Sequence, residues 1–474
     1  MRPPSSVTPA LLLLLLLAFA PRAPSAPTRG VNLGGWFVTE QWITPSLFAP
    51  TSTADEWSLC AALGKKKALS TLNHHWRTFF TRADFLAIRA AGLNAVRIPI
   101  GYWAVDVDRN EPYVSGQYPY LIRAVQWAAE LGLTVLIDLH GAPGSQNGQD
   151  NSGLIGPVLF PSNASNTDRS LHVLRNLTRE FSRHVYGGAV TGIEVLNEPR
   201  LSVADSADAA FSMAQLRDYY ASAAAVVRDA GGRSSNSSSS DGTPLNVTIH
   251  DAFYGPAYWA AYNPPPTSDE DNDTATTAAP LTLDTHQYYA FAPLGNLSRP
   301  DILDAVCNLS RLLKQPQTSS GIPSTLVGKW SLQTGANNPS PSTSTSSSSS
   351  SPAHTNQAQR TWFRLLFEAQ LAAYTPSGPG QASLGWFYWT WKTEYDIVSW
   401  SYRRGVQEGF IPADVGDAAG LVFPVRGDGC VDAGFAGYTA PLHTGGGGVA
   451  RGRGVGGGVG VAVVAVAVGA WGLW

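Results

Sequence analysis

The sequence is poor in charge. Only 14% of its 474 residues are Asp, Glu, Lys or Arg, against roughly 25% in an average soluble domain, which excludes highly charged disorder for the chain as a whole. It also lacks a positive excess. Lys and Arg number 32 and Asp and Glu 35, for a formal net charge of −3, and this argues against a nucleic-acid binder. Cysteine is scarce: Cys60, Cys307 and Cys430 form no CxxC pair and no metal-ligand spacing. An oxidising compartment would then allow one disulfide and one leftover thiol. No GxGxxG turn follows the first strand run, so a dinucleotide-binding sheet would lack its phosphate loop. What is present in quantity is apolar and aromatic. Hydrophobic residues make up 44%, with 15 Trp, 17 Tyr and 17 Phe. That is enough for a large core, or for faces that take flat neutral ligands such as sugars.

The two ends differ from the body. Residues 1–26 read as a secretory signal, with Arg2 as the basic flank and an apolar segment from Leu11 to Ala20. The segment is too short to span a bilayer. Seven Asn-x-Ser/Thr sequons, at Asn163, Asn176, Asn236, Asn246, Asn272, Asn296 and Asn308, fit a secreted chain. Residues 444–474 are a Gly-rich spacer with Arg451 and Arg453, then an uncharged apolar tail. This pattern fits a glycolipid-anchor signal, with a short retained membrane helix or a plain tail as the alternatives. The expected location is therefore extracellular, with membrane attachment through the tail where the anchor is used. A monomer is expected.

Between the ends, low-complexity stretches at 231–242, 263–280 and 339–352 cannot bury apolar surface and read as disordered insertions in one domain spanning 28–440. Eight strand runs lie around them, at 30–33, 94–98, 134–139, 192–196, 245–249, 281–285, 325–327 and 385–388. Helical patterns at 82–91, 118–131, 168–184, 207–230 and 357–373 alternate with them. This order predicts an α/β fold, a (β/α)8 TIM barrel, over an open doubly wound sheet. Polar residues recur at the run ends: Arg97, His140, Asn197-Glu198, Asp251, His286 with Tyr288, and Lys329. The carboxyl ends of barrel strands form the active face. Each residue singly fits a helix cap or a core hydrogen bond, but the series does not.

Glu198 is the leading candidate. A carboxyl at a strand end can protonate a leaving oxygen, and the preceding Asn197 amide can bond a sugar hydroxyl. A plain Asn-Glu-Pro turn is the bland alternative.

Several motifs together resemble secreted exo-β-1,3-glucanases of glycoside hydrolase family 5. They are Arg29-Gly-Val-Asn-Leu-Gly-Gly-Trp36, Trp42-Ile-Thr-Pro-Ser-Leu-Phe48, Gly92-Leu-Asn-Ala-Val-Arg97, Asp138-Leu-His140, Asp150-Asn151-Ser-Gly153, Leu196-Asn-Glu-Pro199, His250-Asp-Ala-Phe253, His286-Gln-Tyr288 and Trp389-Thr-Trp-Lys-Thr-Glu394. The resemblance implies a retaining enzyme acting on β-1,3-glucan with no cofactor and no metal. Glu198 matches the acid/base. Arg97, His140, Asn197, His286 and Tyr288 match residues that orient the carboxyls and the sugar. Glu40, Asn151 and Trp389 match the pocket for the terminal glucose, with Trp389 or Trp391 as the stacking face. Cys307 and Cys430 match a family disulfide, and Cys60 a buried free thiol.

One motif departs from the family. The nucleophile is a Glu in Gly-Glu-Trp-Ser on the seventh strand, whereas this chain reads Gly328-Lys329-Trp330-Ser331. An ammonium cannot attack the anomeric carbon as a carboxylate does, and it favours the ionised form of Glu198. No other carboxyl is placed to substitute: Glu194 lies deeper along its strand, and Glu40 is committed to sugar hydroxyls. Two functions are therefore expected from the same pocket. One is hydrolysis of β-1,3-glucan, and the other is β-glucan binding by a catalytically impaired barrel. Smaller departures are Thr39 and Gln41 beside Glu40, and Gln149 in place of an aromatic.

Overall fold

The computed structural model describes residues 26–202, 210–231, 243–263, 281–335 and 355–441. The signal segment, the Gly-rich tail and nearly all of the three low-complexity stretches lie outside these residues.

Eight parallel strands close into a barrel in sequence order. They are β1 (Thr28–Asn32), β2 (Ala95–Gly101), β3 (Thr134–Gly141), β4 (Val190–Glu194), β5 (Asn246–His250), β6 (Thr282–Tyr289), β7 (Ser324–Thr334) and β8 (Ser383–Tyr388). The ring closes where β1 pairs with β8, Arg29 lying opposite Trp386. Every predicted run is a strand. The runs are buried nearly end to end, as parallel strands covered on both faces must be. β2, for example, is buried at every residue.

The helices pack by their apolar stripes. Leu121, Ala124, Val125 and Ala128 of the helix Tyr118–Glu130 are buried, the i, i+3, i+4, i+7 spacing of one helical face. Two helix starts differ from expectation because of their caps. Asn163 accepts from the Ser165 amide and starts Ala164–Phe181. Ser212 forms a capping box with Gln215 and starts Met213–Ala230. The helix Glu56–Thr78, kinked at Gly64 (φ 70°), was not singled out in the sequence. Its stripe is diluted by Lys65, Lys66 and Lys67.

Cys307 and Cys430 are disulfide-bonded across 123 residues, tying the C-terminal segment to the helix Arg299–Leu313. Closing so long a loop contributes on the order of 4–5 kcal/mol. Cys60 is free and buried, and burial pushes its thiol well above the ordinary range.

One expectation is corrected. Arg97 does not follow its strand but lies within β2. In the same way His140 lies within β3, His286 and Tyr288 within β6 and Lys329 within β7, because those strands run past the predicted ends. Arg97 is fully buried inside the barrel. Its guanidinium meets Asp138 at 3.0 Å, Glu194 at 2.7 Å and Asp284 at 3.6 Å. Strand side chains alternate between faces, and position 97 falls on the inward face, below the strand ends.

Candidate active site

The site sits at the carboxyl ends of the strands. β4 ends at Glu194, and the chain then turns so that Glu198 adopts φ 45°. A non-glycine residue pays on the order of 1–3 kcal/mol for this conformation. Three partners hold the resulting carboxylate. Its Oε2 accepts from Asn151 Nδ2 at 2.7 Å, its Oε1 lies 2.6 Å from His286 Nδ1, and the same oxygen accepts from Lys329 Nζ at 3.0 Å. Asn151 comes from a turn of 3-10 helix, Asp150–Ser152, after β3. His286 and Lys329 stand opposite one another on β6 and β7.

Burial raises the Glu198 carboxyl, but the adjacent Lys329 ammonium, with smaller help from its neighbours, outweighs burial and pulls it down to about 2. Glu198 is therefore ionised at neutral pH. Lys329 itself is 2% exposed, and its ammonium lies 4.4 Å from the Trp389 ring centroid, within cation–π range. Gly328 is required where it stands. A Cβ there would come within 1.9 Å of the Asp284 carboxylate, which accepts from the Gly328 amide at 2.6 Å.

The rest of the pocket consists of oriented groups with a free end. His140 Nδ1 lies 2.5 Å from Asp138. It must donate there, which leaves Nε2 as an acceptor, and that atom is buried without a partner. The His140 ring lies parallel to Trp389, 5.6 Å between centroids. Asn197 Oδ1 accepts from Arg97 at 3.2 Å, and its Nδ2 is left unpartnered. Glu40 Oε2 accepts from Trp42 at 2.9 Å, and its Oε1 is free. Burial, with Asp150 adding to it, pushes the Glu40 carboxyl up to about 8. Three buried polar atoms without partners thus surround Trp389 and Glu198. Buried polar groups are normally satisfied, so a ligand rich in hydroxyls is the natural complement.

Tyr288 is half-buried and meets the edge of this site, packing on Trp400 at 5.5 Å. Trp391 is turned away. It stacks on Tyr402 and donates to Asp84 at 3.2 Å, so Trp389 is the ring at the pocket. Asp251 serves the turn after β5, accepting from the Phe253 amide at 2.8 Å. Thr39 also finds a partner: its amide and hydroxyl both donate to the buried Glu56, at 2.8 and 3.0 Å, anchoring the loop that carries Glu40. Gln149 is half-buried, its amide donating to Asn147 at 3.0 Å.

Asp284, His250 and Asp138 also belong to this site, although none of them stands out singly in the sequence. A signal was present, since Asp-x-His occurs on both β3 (Asp138, His140) and β6 (Asp284, His286). Residues two apart share a strand face. Glu198, His250 and His286 bring ligand atoms within 4.8 Å of one another, the kind of cluster that could hold a metal ion. Here the carboxylate already carries Lys329. His250 Nδ1 accepts from the Ala252 amide at 2.9 Å, so the neutral ring keeps its proton on Nε2 and offers no lone pair there. These residues do not fit a metal.

The ion pair has a pH signature. A carboxyl with a depressed folded value contributes stability that is fully present above its unfolded value, about 4.3 for Glu, and is lost as pH falls through about 2. The advantage of the natural chain over Lys329→Met is expected to be about 3–5 kcal/mol near neutral pH, the cost of leaving a buried carboxylate without its cation. It should shrink steadily between pH 5 and pH 2 in thermal melts.

A closed β/α barrel with an ionisable carboxyl, unpartnered buried polar atoms and an aromatic ring gathered at its strand ends matches the class of barrel glycoside hydrolases. The chain belongs to glycosyl hydrolase family 5: residues 60–394 match the family described as Cellulase (glycosyl hydrolase family 5). It is 35% identical over 411 residues to a probable glucan 1,3-beta-glucosidase A of Neosartorya fischeri, covering 82% of this chain and 88% of that protein. It is 34% identical over 413 residues to a glucan 1,3-beta-glucosidase of Blumeria graminis, covering 81% and 86%. Among solved structures, rutinosidase from Aspergillus niger shares the fold with a TM-score of 0.62 at 22% identity, over 82% of this chain and 98% of that one.

Proposed function

We propose that this barrel is a β-1,3-glucan-directed glycoside hydrolase of the exo type. The terminal glucose would sit on Trp389, with Glu40, His140, Asn151 and Asn197 at its hydroxyls and Glu198 above its β face as acid/base. Arg97, His286 and Tyr288 act as positioning residues, and no cofactor is needed. The observation that carries this reading is the ring of unpartnered buried polar atoms around Trp389 and Glu198. The names of the relatives support β-1,3-glucan as the substrate. The disulfide and the sequons support secretion, with the tail as the means of surface attachment.

The Lys329–Glu198 pair favours a second reading from the same pocket, β-glucan binding with the hydrolytic step held down. Lys329 stands where the nucleophile is expected, and Glu198 lacks the proton that the leaving group requires.

Binding tests the shared part of both readings. The chain is expected to bind laminari-oligosaccharides in calorimetry, and Trp389→Ala to weaken binding about tenfold to hundredfold, ~1.4–2.8 kcal/mol. Unchanged affinity in Trp389→Ala would move the sugar elsewhere. Glucose release from laminarin, measured on the same sample, separates hydrolysis from binding alone.

A further inference from the structure

We propose that Glu56 is a positioning residue for the sugar pocket: its two carboxylate oxygens join the loop that carries Glu40 to the turn that carries Asn151, and the pocket is assembled for a glucan end only while both oxygens accept. This rests on the reading above that Glu40 and Asn151 hold the terminal glucose.

Glu56 opens the helix Glu56–Thr78 and is fully buried. Its Oε2 accepts from the Thr39 amide at 2.8 Å and the Thr39 hydroxyl at 3.0 Å, and Glu40 is the next residue. Its Oε1 accepts from Trp103 Nε1 at 2.8 Å. Trp103 lies in the 3-10 turn Tyr102–Ala104 after β2, and its indole backs the Asn151 turn. A Cβ at Gly141 or Gly153 would come within 2.6 or 2.4 Å of that ring. The chain neighbours of Glu56 reach the same turn. The Trp57 amide donates to the Gly153 carbonyl at 2.9 Å, and Asp55 Oδ2 accepts from the Ile155 amide at 2.7 Å. One carboxylate thus receives both walls of the pocket.

The charge of Glu56 matters as much as its reach. A buried carboxylate without a cation is costly, and here it is held by three donors. A proton on Oε1 would face the Trp103 N–H. A proton on Oε2 would face the Thr39 N–H and find an acceptor only if the hydroxyl turned round. Either change breaks a contact between the walls, and an amide at position 56 meets the same conflict. Burial raises the Glu56 carboxyl to about 7, while the donors from Thr39 and Trp103 restrain it and Asp55 adds to the rise. Burial pushes Cys60 and Tyr113, the other titratable groups near it, above the neutral range. Glu40 and Asp150 on the two walls are raised by burial to about 8 and about 6. Both oxygens of Glu56 accept above its folded value, so its share of the sugar affinity is present at pH 8 and lost as pH falls through about 7.

The test is calorimetry of laminaritriose binding to the full chain between pH 6 and pH 9, with Glu56→Gln and Thr39→Val beside it. Glu56→Gln should weaken binding about threefold to thirtyfold at pH 8. It should also lose the part of the pH dependence centred near 7 while keeping the part that belongs to Glu40. Thr39→Val keeps the amide contact and removes one donor to the ionised form, so the midpoint near 7 should move up in pH. Thermal melts of both variants separate positioning from stability. A purely structural Glu56 lowers the melting temperature but leaves the affinity and pH profile of the folded chain unchanged, and that result overturns the proposal. An unshifted midpoint in Thr39→Val also overturns it, and this variant decides the matter if Glu56→Gln does not fold. A natural chain that binds no laminaritriose at any pH removes the pocket reading, and the role of Glu56 with it.

Discussion

Lys329→Glu is expected to raise glucose release from laminarin by on the order of 10³-fold or more, the scale seen when a covalent nucleophile is present rather than absent. Two changes act together. The substitution places a carboxylate beside the anomeric carbon, and it removes the cation that now holds Glu198 at about 2. With a second carboxyl beside it, Glu198 is pushed upward by like charge and burial, toward the protonated form the acid step needs. The remaining apparatus is already assembled: Asn151 and His286 hold Glu198 at 2.7 and 2.6 Å, and His140 is locked in one tautomer by Asp138. Steady-state kinetics on both chains decide the matter. Comparable activity in the natural chain would mean that attack comes from a group other than residue 329.

Arg97→Met is expected to destabilise the fold by about 3–5 kcal/mol, because it leaves buried carboxyls without their cation. At roughly 2–4 °C per kcal/mol for a larger domain, the melting temperature should fall by about 10 °C. Arg97 is buried completely and serves Asp138, Glu194 and Asp284 at once. Burial already pushes these carboxyls up, to about 6 for Asp138, about 7 for Glu194 and about 6 for Asp284, and Arg97 restrains all three. A raised folded value means stability is present below the unfolded value and lost as pH rises through the folded one. Without Arg97 the folded values climb further, so the deficit should be larger at pH 8 than at pH 5. A uniform loss across that range, followed by thermal melts, would mean that Arg97 acts through packing alone. Sugar binding should weaken as well, since Asn197 Oδ1 loses its donor.

Most of the barrel is legible in the residues. Its strands are continuous apolar runs, and its helices carry 3.6-period stripes, so local pattern and global fold agree. The exceptions have local causes. The helix Glu56–Thr78 hides behind three lysines and a glycine kink, and helix starts at Ala164 and Met213 follow caps rather than apolar periodicity. The prominence of Glu198, His140, His286 and Lys329 also follows from sequence, because polar residues at the ends of buried strands have few structural uses.

Other features were decided only by the tertiary structure. Whether Trp389 or Trp391 lies beside Lys329 and His140 depends on how the chain turns after β8, and both fit the motif equally. That Arg97 serves three carboxyls from β3, β4 and β6 cannot be read from positions 97, 138, 194 and 284, because barrel closure sets those distances. The 3.0 Å contact of Lys329 with Glu198 joins residues 131 apart in the chain. The sequence by itself determined which charges are present and on which strands. The tertiary structure decided which of them meet, because a strand's alternation selects a face but only the closed ring brings eight faces to one axis.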